Sequence, residues 1–241
     1  MSLNKKLSVI QNFICTADGR CGMIIENLPK MADIFDGIDF FVSYNTEENL
    51  FRLRNAYNEK IKNVDFEYTN EYDWAISTLR LLEKVKTPYV LYICEDFDYL
   101  ETKEVWHATI KEALKEDKID FVMMAKIDKY LRPEWHSHYH ASGEYVNYYS
   151  SKNTISKVLS VDAIYKKDFF IERLKEYVSL YSHHLPNNYE TYYKNDNGLS
   201  RFDINCCIPN RPILRERHPD NHVEAKRTDL ASVIPLGAKN E

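Results

Sequence analysis

One stretch of the chain, residues 89–98, combines an apolar run with three acidic side chains. The run follows Pro88, which disfavours helix in the residue before it, and it is rich in aromatic and β-branched residues. This pattern predicts a strand covered on both faces, as in the parallel sheet of an α/β domain. Glu95, Asp96 and Asp98 come directly after the apolar residues. Because ligands bind outside the carboxyl ends of strands in open α/β sheets, we expect these acids beside a ligand.

The spacing of the acids is suited to a metal ion. Asp96 and Asp98 are two residues apart, so in an extended chain their side chains lie on one side. Two such carboxylates can hold one hard divalent cation, since Mn²⁺ and Mg²⁺ prefer oxygen ligands. The alternative is a solvated acidic turn after a strand, with no bound metal.

The elements around this stretch alternate between strand and helix. Apolar runs predict strands over residues 7–16, 38–44, 64–69, 89–94 and 119–127. Helical spacing predicts helices over residues 23–35, 46–61, 70–85 and 102–114, the third of them capped by Asn70. This alternation is typical of a parallel sheet with helices on both faces.

The second half of the chain has a different pattern. Residues 130–153 are dense in aromatics and histidine, with little helical period. Residues 154–165 and 204–208 predict strands, and residues 167–181 predict a helix. Residues 183–201 predict a polar loop, and no linker separates the halves. We therefore expect one domain.

Composition and charge exclude several classes of protein. A formal net charge of -5 argues against nucleic acid as the main partner. The chain has no run of about 18 apolar residues, so no transmembrane segment is predicted. Its five cysteines contain no C-x-x-C pair, and residues 1–8 are polar, with no signal-peptide pattern. These features predict a cytoplasmic protein in a reducing compartment.

The acidic strand and the helix before it resemble those of a known family. Residues 87–98 are similar to the acidic-motif strand of GT-A fold glycosyltransferases, and residues 70–85 lie where that family places the helix leading into the motif. Residues 160–170 resemble the segment in which a strand passes into the acceptor-side helix. The order of elements resembles the family over residues 7–218, although no proline-x-tyrosine-asparagine follows the first strand.

The resemblance implies a metal-dependent glycosyltransferase that moves a sugar from a nucleotide-diphosphate sugar to a hydroxyl of a glycan or other acceptor. It implies a single GT-A-like (Rossmann-like) α/β domain over residues 1–241, with a central, mostly parallel sheet flanked by helices and a smaller acceptor-side subregion. Residues 1–128 would bind the nucleotide sugar, residues 129–218 the acceptor, and residues 219–241 would form a tail. If the acceptor is carried by a membrane, the protein would associate with that membrane peripherally.

The predicted metal site would hold Mn²⁺ or Mg²⁺, which neutralises the charge that develops on a leaving diphosphate. Its ligands are Asp98, Asp96 and His218, the last because the family often adds a histidine from near its C-terminus. His222 is the runner-up. Arginines near His218 are placed to hold the diphosphate; these are Arg215 and Arg217. The alternative is an ordinary surface of mixed charge.

Base and ribose contacts are expected at the ends of the first three strands. The candidates are Thr16, Ser43, Tyr44, Asn45, Asn70 and Trp74, with Asp96 as a further ribose contact. For Trp74 the alternative is a place in the core.

An inverting transferase also needs a general base for the acceptor hydroxyl. Glu190, in a tyrosine-rich loop of the acceptor half, is the predicted base, and Asp162 and Asp203 are the alternatives.

A histidine cluster suggests a competing function. His136, His138 and His140 would share one face of a strand and could bind Zn²⁺ together with His218 and His222. A zinc-dependent hydrolase normally offers a more complete ligand set, and no H-E-x-x-H motif occurs.

Two further alternatives remain. A sugar-1-phosphate nucleotidyltransferase would need a glycine- and arginine-rich loop after the first strand, which residues 17–22 match only in part. A non-catalytic nucleotide-sugar-binding protein would keep the donor site without turnover. Because the chain has only six glycines and no glycine-rich phosphate motif, we expect metal and arginine to hold the phosphates.

Overall fold

In the first half of the chain the strands and helices largely alternate, as the sequence predicts. The structure is a computed structural model and describes residues 2–13, 18–45, 50–71, 73–95, 97–115, 117–124, 141–150, 162–180, 189 and 204–216. The helices are α1 (Asp18–Ile34), α2 (Leu50–Lys60), α3 (Trp74–Lys84), α4 (Lys103–Ala113) and α5 (Lys167–Leu180), after a short 3-10 turn at Leu3–Lys5. The strands are β1 (Leu7–Phe13), β2 (Phe40–Tyr44), β3 (Val64–Tyr68), β4 (Tyr89–Tyr92), β5 (Phe97–Tyr99), β6 (Phe121–Met123), β7 (Ala141–Ser142), β8 (Val146–Ser150), β9 (Ala163–Lys166), β10 (Asn205–Pro209) and β11 (Leu214–Glu216).

Nine of these strands form one sheet, in the order β3-β2-β1-β4-β9-β6-β10-β8-β7. β1 is parallel to β2 and β4, β2 to β3, and β6 to β10. β9 is antiparallel to both β4 and β6, and β8 is antiparallel to β10 and β7. Every described strand of this sheet except β8 and β9 therefore runs in one direction, which confirms the predicted α/β class with a mostly parallel sheet.

β4, the strand before the acids, lies inside the sheet between β1 and β9, and all of its residues are buried. Leu91 packs into the apolar cluster that contains residues of α1, α2 and α4. Val90 and Tyr92 pack into the opposite cluster, with residues of α3 and α5. The period of two along a strand sends neighbouring side chains to opposite faces. A continuous apolar run therefore fits this position, because both faces are covered.

Several features of the fold differ from the predicted order of elements, among them the strands β7 and β8 within residues 130–153. β9 lies between β4 and β6, so the strand before α5 enters the middle of the sheet and opposes its neighbours. The acidic stretch also contains a strand of its own, β5, which pairs with β11 as a separate two-stranded antiparallel sheet. The sequence predicts neither β5 nor β11, because a three-residue strand is too short for a periodic pattern.

The N-cap residue of α3 is Asp73 rather than the predicted Asn70. The Asp73 carboxylate accepts a hydrogen bond from the backbone N–H of Ile76 at 3.1 Å, and its backbone is extended, as an N-cap requires. Asn70 lies one turn too early and is exposed.

We expect Asp73→Ala to lower the free energy of unfolding by about 1 kcal/mol, because the N–H of Ile76 loses its acceptor. Asn70→Ala is the matched control and should change it by less than about 0.5 kcal/mol. Urea unfolding followed by circular dichroism measures both. If Asn70→Ala lowered the free energy of unfolding more than Asp73→Ala, Asn70 would be the N-cap of α3.

Two further observations concern membrane-spanning helices and cysteines. None of the described helices is both long and apolar enough to cross a bilayer. Among the described residues, Cys21, Cys94, Cys206 and Cys207 form no disulfide bond.

Candidate functional site

The acidic stretch emerges from the sheet at the end of β4. Glu95 is buried, whereas Asp98, on β5, keeps 30% of its side chain exposed. Because β1, β2, β3 and β4 are parallel, their carboxyl ends lie at the same edge of the sheet as this stretch. The structure therefore places Asp98 beyond the edge where α/β sheets bind ligands.

Asp98 faces Arg215 across the β5–β11 pair. The two residues are register partners, and Arg215 Nη2 lies 3.5 Å from Asp98 Oδ2. The Arg215 side chain is 67% exposed. An exposed pair of this kind adds little to stability. Both charges are thus accessible to a ligand, and the acid is brought together with an arginine from the far end of the chain.

The backbone around Asp98 is held by side chains from two other elements. The Cys94 N–H donates to Asp162 Oδ1 at 2.6 Å. On α1, Asn27 Nδ2 donates to the Phe97 carbonyl at 2.8 Å, and Lys30 Nζ donates to the carbonyl of Tyr99. Asp98 therefore projects from a short segment that is fixed at both ends.

Three buried tyrosines interact electrostatically with the carboxylates around this segment. Burial raises the pKa of Tyr57, Tyr92 and Tyr99 well above the usual value, and the nearby carboxylates add to the rise: Glu95 for Tyr57 and Tyr92, and Asp162 for Tyr92 and Tyr99. These hydroxyls therefore stay protonated. Glu95 and Asp162 therefore have neutral phenols, rather than phenolates, among the groups they interact with.

The predicted nucleotide contacts at the end of β2 are largely occupied by other parts of the protein. Ser43 and Tyr44 are buried, and Ser43 Oγ lies 3.0 Å from Ser77 Oγ. Asn45 donates to the carbonyl of Glu71 at 3.3 Å. Asn70, beyond the end of β3, is exposed. Among these four, Asn70 is the residue whose side chain is open to a ligand.

Trp74 lies in the core rather than at the surface. Its side chain is 1% exposed, and its indole N–H donates to the Tyr92 hydroxyl at 2.6 Å. Its ring packs against Tyr92 and Tyr189, with centroids 5.8 Å and 5.5 Å away. In this arrangement the ring is not available as a platform for a base. The structure thus gives Trp74 the packing role that was the alternative in the sequence.

Several predicted residues lie outside the described part of the chain. Among the proposed site residues these are Thr16, Asp96, Glu190, Arg217 and His218; among the alternatives they are His136, His138, His140, Asp203 and His222. Within the described ranges no three His, Cys, Asp or Glu side chains are grouped to hold a metal. Asp98 is the described member of the predicted ligand set, and its accessible carboxylate is a donor that suits Mn²⁺ or Mg²⁺.

The sequence does not predict which residues hold the backbone around Asp98. Asn27 carries a signal that could have found it: it lies on the apolar face of α1, four residues before Met31, and it is buried. A buried amide on such a face needs a hydrogen-bond partner from elsewhere in the fold. The sequence cannot say which partner, because the Phe97 carbonyl is distant along the chain.

Comparison with known proteins connects this geometry to one fold. No family model and no curated protein matches the sequence. In structure, the chain is similar to S. aureus TarS 1-349, with a TM-score of 0.56 and 15% identity over 89% of this chain and 61% of that one. The same protein in complex with UDP-GlcNAc gives a TM-score of 0.58 and 14% identity over 88% of this chain. The chain spans 58% of that TarS structure. The chain thus has the GT-A type of fold, that of the nucleotide-diphospho-sugar transferases.

Proposed function

We propose that the protein is a metal-dependent glycosyltransferase that moves a sugar from a nucleotide-diphosphate sugar to a hydroxyl of a glycan or other acceptor. The observation that carries the proposal is the pair of Asp98 and Arg215 beyond the end of β4. An acid and an arginine side by side suit a diphosphate that carries a divalent cation. S. aureus TarS, which has this fold, forms complexes with UDP-GlcNAc and with UDP, and this supports a nucleotide-sugar donor.

Asp98, with Asp96 and His218, would hold Mn²⁺ or Mg²⁺ in this proposal. When bound, the metal supplies positive charge for the leaving diphosphate. Arg215 and Arg217 donate charged hydrogen bonds to the phosphate oxygens. Asn70 and Thr16 are the proposed contacts to the base and ribose, with Ser43, Tyr44 and Asn45 shaping the wall behind them.

Glu190 is the proposed general base. It takes the proton of the acceptor hydroxyl as the acceptor oxygen bonds to the anomeric carbon of the sugar, and the bond from that carbon to the diphosphate breaks. The nucleoside diphosphate leaves with the bonding electrons. Tyr189, the residue before it, is buried against Trp74 and Tyr177.

The nucleotidyltransferase alternative receives less support. That class needs a loop rich in glycine and arginine after the first strand, to surround the phosphates with backbone N–H groups. Gly19, Arg20 and Gly22 instead belong to α1, which begins at Asp18. Gly22 follows the first turn of α1, where backbone N–H groups are already bonded within the helix, so this glycine offers no N–H to a phosphate; Gly19 and Arg20 lie within that first turn.

A screen of nucleotide-diphosphate sugars by calorimetry, with and without Mn²⁺, tests the proposal. We expect at least one UDP- or GDP-sugar to bind more tightly with Mn²⁺, and release of free nucleoside diphosphate once an acceptor is added. Metal-dependent binding without turnover would instead indicate a non-catalytic binding protein. Pyrophosphate released from a nucleoside triphosphate and a sugar 1-phosphate would indicate the nucleotidyltransferase, and zinc retained after dialysis and lost in His138→Ala would indicate the hydrolase.

The turnover arm of this screen also tests the general base. Glu190→Gln should keep donor affinity and lower turnover by a factor on the order of 100 to 10,000. Unchanged turnover would remove Glu190 from the mechanism and leave Asp162 and Asp203 as the candidates.

A further inference from the structure

We infer that Asp162 and Asn27 are positioning residues that fix the backbone of the acidic segment, defined here as residues 94, 95, 97 and 98, and so place Asp98 for its ligand. The inference rests on the proposed function, because it assigns a role to the side chains behind the proposed metal site. It concerns residues of α1 and of the turn before β9, neither of which carries the acidic motif.

Asp162 continues the pairing of β4 past the point where the strand ladder ends. The last register pair of β4 and β9 is Tyr92 with Ala163. Beyond it, Ile93 N–H still donates to the Ile10 carbonyl of β1, at 3.3 Å. On the other side of the strand, the Asp162 carboxylate accepts from Cys94 N–H at 2.6 Å. The short distance is typical of a hydrogen bond to a charged acceptor, so the chain is held where it leaves the sheet.

Burial favours an anchoring role for Asp162 over the role of general base that the sequence left open. Its side chain is 3% exposed, and one carboxylate oxygen is already bonded to the backbone. A general base must reach the hydroxyl of an acceptor. A carboxylate enclosed beside Cys94 instead acts on the segment that follows.

Asn27 holds the other end of the segment. Its side chain is 9% exposed, and its amide donates to the Phe97 carbonyl at 2.8 Å. One turn along α1, Lys30 donates to the Tyr99 carbonyl. The opposite edge of β5 pairs with β11, where Arg215 faces Asp98. β5 is therefore held along both edges, and in the chain Asp98 lies between the two residues whose carbonyls are anchored.

These contacts act on function because a ligating side chain must be placed to within about 0.5 Å of its productive position. β5 has three residues and lies outside the nine-stranded sheet, so it gains no support from that sheet's ladder. The ordering of the segment occurs during folding through Asp162 and Asn27, instead of at the moment when the cation and donor bind. Loss of such supporting contacts typically lowers metal affinity or activity by about 10- to 100-fold.

Three variants and one control distinguish the loss of these hydrogen bonds from a change in side-chain size. Asp162→Ala removes the acceptor, whereas Asp162→Asn keeps an oxygen that can accept from Cys94 N–H. Asn27→Asp keeps the shape but replaces the donor with an acceptor that repels the Phe97 carbonyl. Asp120→Ala is the matched control, since Asp120 also anchors a backbone N–H of another strand, that of Asn205 at 3.1 Å, at the opposite edge of the sheet.

The measurement is calorimetry of UDP and GDP binding in the presence of Mn²⁺, together with hydrogen exchange of the segment's amides without metal. We expect Asp162→Ala and Asn27→Asp to weaken Mn²⁺-dependent binding by about 10- to 100-fold and to speed exchange at residues 94, 95, 97 and 98. Asp162→Asn and Asp120→Ala should bind like the wild type.

The outcomes distinguish the inference from the function on which it rests. If the wild type binds neither nucleotide with Mn²⁺, the proposed function is overturned, and the positioning role falls with it. If the wild type binds and Asp162→Ala and Asn27→Asp bind equally well, the positioning role alone is overturned. If Asp162→Asn keeps donor affinity but loses turnover, Asp162 is the general base and not an anchor.

Discussion

Replacement of Asp98 by alanine is expected to abolish the Mn²⁺ dependence of donor binding and to lower kcat/KM for sugar transfer by a factor on the order of 100 to 1,000. Asp98 is the described acid of the motif with an accessible carboxylate, and Arg215 lies 3.5 Å from it. Without the carboxylate, the cation would lose a direct ligand and the leaving diphosphate would lose part of its neutralising charge. Calorimetry with and without Mn²⁺ and an assay for free nucleoside diphosphate measure the two effects.

Loss of stability should not account for this effect. An exposed ion pair contributes about 0 to 1 kcal/mol, so Asp98→Ala should unfold at nearly the wild-type urea concentration. Asp117→Ala is the matched control: it removes an aspartate that pairs with Lys6 at 2.7 Å, at the amino end of the sheet. The control should keep full donor binding. Mn²⁺-dependent binding that survives in Asp98→Ala would refute the proposed metal site.

Arg215→Ala extends the same experiment. If Asp98 holds the cation and Arg215 holds the phosphates, each single variant should weaken donor binding with Mn²⁺, but only Asp98→Ala should remove the response to Mn²⁺. A double-mutant cycle then reports how far the two charges act on one ligand. Because the side chains are in contact, we expect their effects not to add.

The sequence predicts the local elements well because the signal for each lies within the element. β4 is an unbroken apolar run since both of its faces are covered, by the clusters around α1 and α3. α3 has an apolar stripe at helical spacing, and Trp74, Leu81 and Leu82 on that stripe are buried. Patterns of this kind follow from burial of one face or of both, and they need no knowledge of the rest of the chain.

Pairing between distant strands is a different matter. β9 is inserted between β4 and β6, and β11 reaches β5 from near the end of the described chain. Nothing in residues 214–216 indicates this partner, because a three-residue strand has no period and its register is fixed by long-range contacts. The expected meeting of arginines with the acidic motif came from the family resemblance; the register of Arg215 with Asp98 required the structure.

The candidate site also has features that the sequence predicts and features that depend on long-range contacts. The sequence identifies polar residues at strand ends, but it cannot say which of them the fold covers. Ser43 is buried against Ser77, while Asn70 stays open to solvent. The supporting side chains are harder still to predict, since Asn27 and Asp162 form hydrogen bonds to the backbone of another element. Their role depends on contacts between residues far apart in the chain.

Trp74 provides the largest expected effect on stability. Trp74→Ala should lower the free energy of unfolding by about 3 to 5 kcal/mol, because a fully buried indole is lost from the packing of α3, Tyr92 and Tyr189. Trp74→Phe should cost less, although it leaves the Tyr92 hydroxyl without the indole N–H that now lies 2.6 Å away. Urea unfolding followed by circular dichroism measures both, and the free energy should fall in the order wild type, Phe, Ala.

Phe51→Ala is the control for removal of an aromatic ring, since Phe51 is 74% exposed on α2. It should change the free energy of unfolding by less than about 0.5 kcal/mol. The same variants decide between the two roles that the sequence left open for Trp74. A stacking platform at the surface would contribute to donor affinity and little to stability, whereas a core residue does the reverse. Wild-type stability together with weaker donor binding in Trp74→Ala would contradict the core role. The ring would then contact the base in solution, and its packing against Tyr92 and Tyr189 would not be its main role.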